Sequence, residues 1–111
     1  MIPYFILKSS NMPPSLRIRR ALLIDDDPVS LFVLAQMIAQ QGWEVEKTQS
    51  PKVALKWLEG NGATRFDAVL TDYHMPEMKG LEVVASVREI DPSLATILIT
   101  SDNERRTLSQ S

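Results

Sequence analysis

The chemistry available to this chain sits on its aspartates. Asp25, Asp26 and Asp27 stand in a row after the apolar run Arg20-Ala21-Leu22-Leu23-Ile24. Asp72 closes a second run, Ala68-Val69-Leu70-Thr71, and a third, Ala95 to Ile99, ends at Thr100 and Ser101. If these runs are neighbouring strands, the side chains of residues 25, 26 and 72 converge at one end of a sheet. Converging carboxylates repel one another, and a hard divalent cation removes that penalty. Mg2+ suits such a place, because it takes one or two carboxylates and leaves the rest of its octahedral oxygen shell to waters and substrate phosphate. A carboxylate can also attack phosphorus as a nucleophile. Phosphoryl transfer then depends on in-line positioning and charge neutralisation, and a hydroxyl such as that of Thr100 can donate to a phosphoryl oxygen. Each feature alone has a plainer explanation. Aspartates in a row commonly make a solvated turn and a helix cap, and Asp27, followed by Pro28, is assigned to capping. The joint placement at three strand ends is what points to chemistry.

The elements that must position these groups show as alternating patterns. The run 20–24 is continuous in its apolar residues, as a buried parallel strand requires. Leu31, Leu34, Met37 and Ile38 then recur at helical spacing, predicting a helix from about Val29 to Gln41 that stops at Gly42. Trp43 to Thr48 alternates, with Val45 between Glu44 and Glu46, which predicts a half-exposed edge strand. Ser50-Pro51 opens a second helix carrying Val53, Leu55, Trp57 and Leu58, ended by Gly60-Asn61-Gly62. A third strand runs from Phe66 to Thr71 and stops at Asp72. After the loop 73–79, Gly80 precedes a helix bearing Leu81, Val84 and Val87, which Asp91-Pro92 breaks. Ala95 to Ile99 is a fourth strand. The order βαβαβαβ predicts a parallel α/β sheet with helices on both faces, in which ligands bind beyond the carboxyl ends of the strands.

Composition narrows the classes. At 111 residues there is room for one domain. Twelve basic and fourteen acidic residues leave a net charge of −2, so nothing in the charge balance predicts nucleic-acid binding. With no cysteine, disulfides, thiol catalysis and cysteine-based metal sites are excluded, and the single histidine, His74, excludes a multi-histidine site. No stretch approaches the ~20 apolar residues that span a bilayer, so no membrane partner is expected. The opening Met1-Ile2-Pro3-Tyr4-Phe5-Ile6-Leu7-Lys8 lacks the basic lead and cleavage site of a signal peptide. Met12 reads as a natural start with residues 1–11 an extension, or else the segment is a disordered tail. Residues 1–18 are expected to be a flexible extension, and the composition suits a cytoplasmic setting.

Leu22-Leu23-Ile24-Asp25-Asp26-Asp27-Pro28 resembles the first strand and acidic pair of the receiver domains of two-component response regulators. Phe66 to Gly80, with Asp72, Met75-Pro76 and a glycine eight positions beyond Asp72, is similar to that family's phospho-acceptor strand and loop. Ile97-Leu98-Ile99-Thr100-Ser101 resembles its fourth strand and hydroxyl position. The resemblance covers about residues 19–102 and implies a flavodoxin-like doubly wound sheet of strand order 2-1-3-4. It implies that Asp72 accepts a phosphoryl group from a phosphohistidine on a sensor histidine kinase or phosphotransfer protein. Asp26 would ligate Mg2+ directly, Asp25 through water, and Asp72 and the main-chain carbonyl of His74 would complete the protein's share. Thr100 would bind a phosphoryl oxygen and act as the switch, Pro76 would shape the loop, and Gly80 would start the third helix. The implied role is a signalling domain, not an enzyme.

A complete receiver carries a fifth strand ending in a lysine, and a fifth helix. Residues 102–111 contain no lysine and are short and polar. The expectation is therefore a partial receiver over 19–102 with a tail at 103–111, no switch lysine, impaired phosphorylation and an uncovered sheet side through which copies could associate. Two other readings compete. One is a non-switching interaction module derived from a receiver. The other is a haloacid-dehalogenase-type phosphatase, in which Asp25 to Val29 matches a D-x-D-x-V pattern with Asp25 as nucleophile and Asp27 as acid. That reading leaves the stretch from Asp72 to Gly80 unexplained.

Overall fold

The computed structural model describes residues 18–99. The expectations for residues 1–17, for Thr100 and for the tail 103–111 lie outside the described residues. The first strand, β1 (Arg20–Ile24), has four residues from Ala21 to Ile24 with no exposed surface, so both of its faces are covered. It pairs in parallel with β2 (Glu44–Thr48) through Leu22 opposite Glu46, and with β3 (Ala68–Asp72) through Leu22 opposite Val69. The strand β4 (Ala95–Ile99) pairs in parallel with β3, Leu70 opposite Ile97. The order is β2-β1-β3-β4, the flavodoxin-like arrangement expected. No helix among the described residues is long and apolar enough to cross a membrane.

Local sequence sets the helix ends. In α1 (Pro28–Gln40), Asp27 accepts from the Val29 amide at 3.2 Å and the Ser30 hydroxyl at 2.8 Å, with proline first in the helix. Its end is closed by Gly42, whose φ of 94° lies in the left-handed region that glycine tolerates. In α2 (Pro51–Leu58), Ser50 caps by accepting from the Val53 amide at 3.2 Å. In α3 (Gly80–Ile90), the Lys79 amide donates to the Glu82 carboxylate at 3.0 Å, half of a capping box. Asp91 then accepts from both the amide and the hydroxyl of Ser93 and turns the chain into β4.

Three details depart from the sequence reading. A single 3₁₀ turn at Gly62–Arg65 follows α2, and the Phe66 amide completes it by donating to Ala63. For that reason β3 begins at Ala68 instead of Phe66, while Asp67 joins β1 through its side chain and amide to Arg20. The strand also runs one residue further, with Asp72 paired opposite Ile99. Finally, α3 buries Val83 and Val87, whereas Leu81 is exposed and Val84 half-buried. The main core lies on one side of the sheet, where Leu22, Ile24 and Val69 meet Ala54 and Leu58 of α2 and Val83 and Val87 of α3.

Candidate functional site

Parallel strands put their carboxyl ends along one edge, and there β1 and β3 deliver their acids. Asp25 immediately follows β1 and is buried. Its amide donates to the Thr48 carbonyl at 3.3 Å, carrying the pairing with β2 one residue past the strand. Its Oδ1 accepts from the Asp27 amide at 3.0 Å, which folds the acidic turn back on itself. Asp26 is half-buried beside it, and Asp72 is the last residue of β3. One carboxylate oxygen from each of Asp25, Asp26 and Asp72 lies within 4.8 Å of the others. Asp27 does not join them. The Ser30 hydroxyl and the Val29 amide hold its carboxyl below the ordinary range, as a helix cap.

The main chain at Asp72 is fixed from several directions. Thr71 is fully buried, and its hydroxyl donates to the Asp72 carbonyl at 3.1 Å. The Tyr73 amide donates to the Ile99 carbonyl at 3.1 Å, and the Gly80 amide to the Tyr73 carbonyl at 2.8 Å, closing the base of the 73–79 loop. Gly80 packs so tightly that a Cβ there would lie 2.3 Å from the Asp72 carbonyl oxygen and 2.9 Å from the Tyr73 Cα. Within the loop, Met75 enters the core and His74 is exposed, its ring edge-on to Tyr73 at 4.6 Å between centroids. Pro76 and Glu77 lie on the surface. The Glu77 carboxylate accepts from the Ser50 hydroxyl at 2.7 Å and the Lys52 amide at 3.1 Å.

Sequence reasoning reached the three converging aspartates and the cap at Asp27. It missed Thr71 and Glu77. Alternation along β3 could have placed Thr71 on the buried face beside Val69, but Glu77 binds residues 25 to 27 positions away, a relation with no local signature.

The sequence model of the response regulator receiver domain matches residues 21–111. The chain belongs to that family. A receiver protein of Anaeromyxobacter is 40% identical over 83 residues, 75% of this chain and 34% of its own length. The rice two-component response regulator ORR23 is 35% identical over 89 residues, 80% of this chain and 13% of its own length. The chain thus spans about an eighth of the plant regulator and a third of the bacterial protein. Among solved structures, the Thermotoga maritima response regulator TrrA in complex with Mg2+-BeF is similar with a TM-score of 0.69 and 30% identity, over 84% of this chain and 79% of that one. A receiver domain protein of Clostridium thermocellum gives a TM-score of 0.70 at 26% identity, over 84% and 75% of the two chains. Membership in the receiver family removes the dehalogenase alternative. In this receiver the capping role of Asp27 also engages the residue that reading needed as its acid.

Proposed function

We propose that this receiver accepts a phosphoryl group on Asp72 from a phosphohistidine of a sensor histidine kinase or histidine phosphotransfer protein, with Mg2+ as cofactor. The observation that carries the reading is the approach of the three carboxylates of Asp25, Asp26 and Asp72 to within 4.8 Å at the strand ends. An all-oxygen, acidic donor set fits a hard cation and not a soft one. Asp26 would hold Mg2+ directly, Asp25 through water, with Asp72 and the His74 carbonyl as further ligands. When bound, Mg2+ supplies charge neutralisation for the phosphoryl oxygens. TrrA, the Thermotoga relative, is seen with Mg2+-BeF, and a second structure holds it with the histidine kinase ThkA, which supports the cofactor and the donor class.

In the reaction, a carboxylate oxygen of Asp72 attacks phosphorus and forms the new P–O bond. The P–N bond to the donor imidazole breaks, and its electron pair stays on the ring nitrogen. Asp72 is left as an acyl phosphate. Thr71 and Gly80 hold its main chain so that the carboxylate is presented in line, since misplacement by about 1 Å can cost on the order of a hundredfold in rate. Thr100 is proposed to donate to a phosphoryl oxygen. The role is that of a signalling domain, because the group accepted stays on the protein, and a cytoplasmic setting is proposed with it.

Incubation with acetyl phosphate and Mg2+, followed by mass measurement, tests the reading. Wild type should gain one phosphoryl group and Asp72→Ala none. Equal uptake by both proteins, or uptake unaffected by EDTA, would remove Asp72 or the metal from the account. Absence of any uptake, with partner binding unchanged in Asp72→Asn, would mark a non-switching interaction module instead.

A further inference from the structure

The 73–79 loop leaves β3 at the acceptor and returns at Gly80. Its base is closed by the Gly80 amide on the Tyr73 carbonyl. Met75 fills the core, an apolar contact without direction. Glu77 adds a directional tie to another element: its Oε1 takes the Ser50 hydroxyl at 2.7 Å and the Lys52 amide at 3.1 Å. Lys52 stands in the first turn of α2, where main-chain amides have no partner within the helix and the helix dipole favours negative charge. Glu77 supplies that charge from another part of the chain. Its hydrogen bonds are directional, and they engage the residues that connect back to the acidic turn. The Ser50 amide donates to the Thr48 hydroxyl at 3.1 Å, and the Thr48 carbonyl receives the Asp25 amide.

We propose that Glu77 is a positioning residue: its carboxylate clasps the acceptor loop to the start of α2 and so sets where the His74 main-chain carbonyl stands relative to Asp25, Asp26 and Asp72. The inference rests on the metal reading above. Ser50 still caps α2 through the Val53 amide without help, so the clasp is not needed to start the helix. Glu77 is fully exposed, and exposed polar contacts add little to global stability. What the clasp fixes is the rotation of a short loop, which a cation ligand on that loop would feel.

The probe is Mg2+ alone, titrated calorimetrically into the full chain in the absence of any phosphoryl donor. Glu77→Ala should weaken Mg2+ binding about three- to tenfold, the range expected for losing the net contribution of one ordinary hydrogen bond. Glu77→Gln keeps an oxygen acceptor of the same reach and should stay close to wild type. Glu77→Asp is one methylene short and should resemble Glu77→Ala. Urea midpoints measured without Mg2+ should be unchanged in all three, and amide shifts of residues 73–75 should move in Glu77→Ala. Unchanged Mg2+ affinity in Glu77→Ala, beside an Asp26→Asn control that loses binding, would overturn the positioning role while sparing the metal site. If wild type itself takes up no Mg2+, or Asp26→Asn binds as tightly, both the metal reading and the clasp fall.

Discussion

The two faces of the sheet are built from similarly apolar sequence and are closed to very different degrees. On the α2–α3 side, Leu22, Ile24, Leu58, Val69, Val83 and Val87 have no exposed surface. On the other side, α1 buries only Leu31, while Val29, Phe32, Val33 and Met37 are exposed. Strand register extends the contrast. Leu70 opposite Ile97 alternates with the buried Val69, so this pair belongs to the α1 side, and Ile97 is 49% exposed. Two amphipathic helices at neighbouring positions can interdigitate and seal a face. Among the described residues, one helix over β1 and β2 seals only part of the other. Stability should therefore concentrate on the closed face, and substitutions can test that division.

The largest effect is expected on the closed face. Leu58→Ala or Leu22→Ala removes a fully buried side chain from a filled core and should cost about 2–5 kcal/mol in urea unfolding. If either costs no more than an exposed residue, the contrast between the faces is wrong. Next comes Gly80→Ala, which adds a Cβ at 2.3 Å from the Asp72 carbonyl oxygen and 2.6 Å from Leu98 Cδ1. Main-chain atoms cannot yield as a flexible side chain can, so the expected loss is about 1–3 kcal/mol. Because the displaced atoms belong to the acceptor residue, phosphoryl uptake from acetyl phosphate should fall by more than stability alone explains. Full uptake in a folded Gly80→Ala protein would show that the Asp72 main chain tolerates movement.

On the open face, Phe32→Ser and Met37→Gln should each change stability by less than about 0.5 kcal/mol. A loss of several times that, measured by the same unfolding, would mean that the α1 side is covered in solution.

The same contrast explains what the sequence could and could not reveal. The buried strands were legible because a parallel strand covered on both faces must be apolar throughout, as Ala21 to Ile24 are. Asp27-Pro28 and Ser50-Pro51 announced their helices because capping chemistry is local. The inward faces of the helices were less legible. In α1 nearly every position from Val29 to Ile38 is apolar or small, so periodicity picked out Leu34, Met37 and Ile38 beside Leu31, of which Leu31 is buried, Leu34 and Ile38 are half-buried and Met37 is exposed. In α3 the pattern picked out Leu81 and Val84 beside Val87, whereas the helix buries Val83 with Val87. At the site, the convergence of residues 25, 26 and 72 followed from strand order, which the resemblance to receiver domains implied and the alternation of elements alone left open. The clasp at Glu77 did not, since it depends on how a loop after β3 leans against a helix two elements earlier.

The smallest effect concerns acid. Asp27 at the start of α1, on the open face, is held below its ordinary value first by the Ser30 hydroxyl and then by the Val29 amide. Glu77 and Asp91, at the ends of helices on the closed face, are lowered in the same way, by Ser50 and then Lys52, and by Ser93. A carboxyl whose folded value lies below its unfolded value binds protons more weakly when folded. Its contribution is complete above the unfolded value and is lost as pH falls through the folded one. Stability from these groups should thus be flat at neutral pH and decline below the ordinary carboxylate range. All three groups lie at the surface, Asp91 partly covered, so the decline should be shallow. Substituting Asp27→Asn, which keeps a capping oxygen but cannot titrate, should flatten the acid limb of the urea-midpoint profile without moving its neutral plateau much. Because α1 leans on so little buried surface, its cap should matter more to local opening than the caps across the sheet. Hydrogen exchange at acid pH should therefore rise in α1 before it rises in α3, and simultaneous loss of protection in both helices would show that the sheet's two sides open as one.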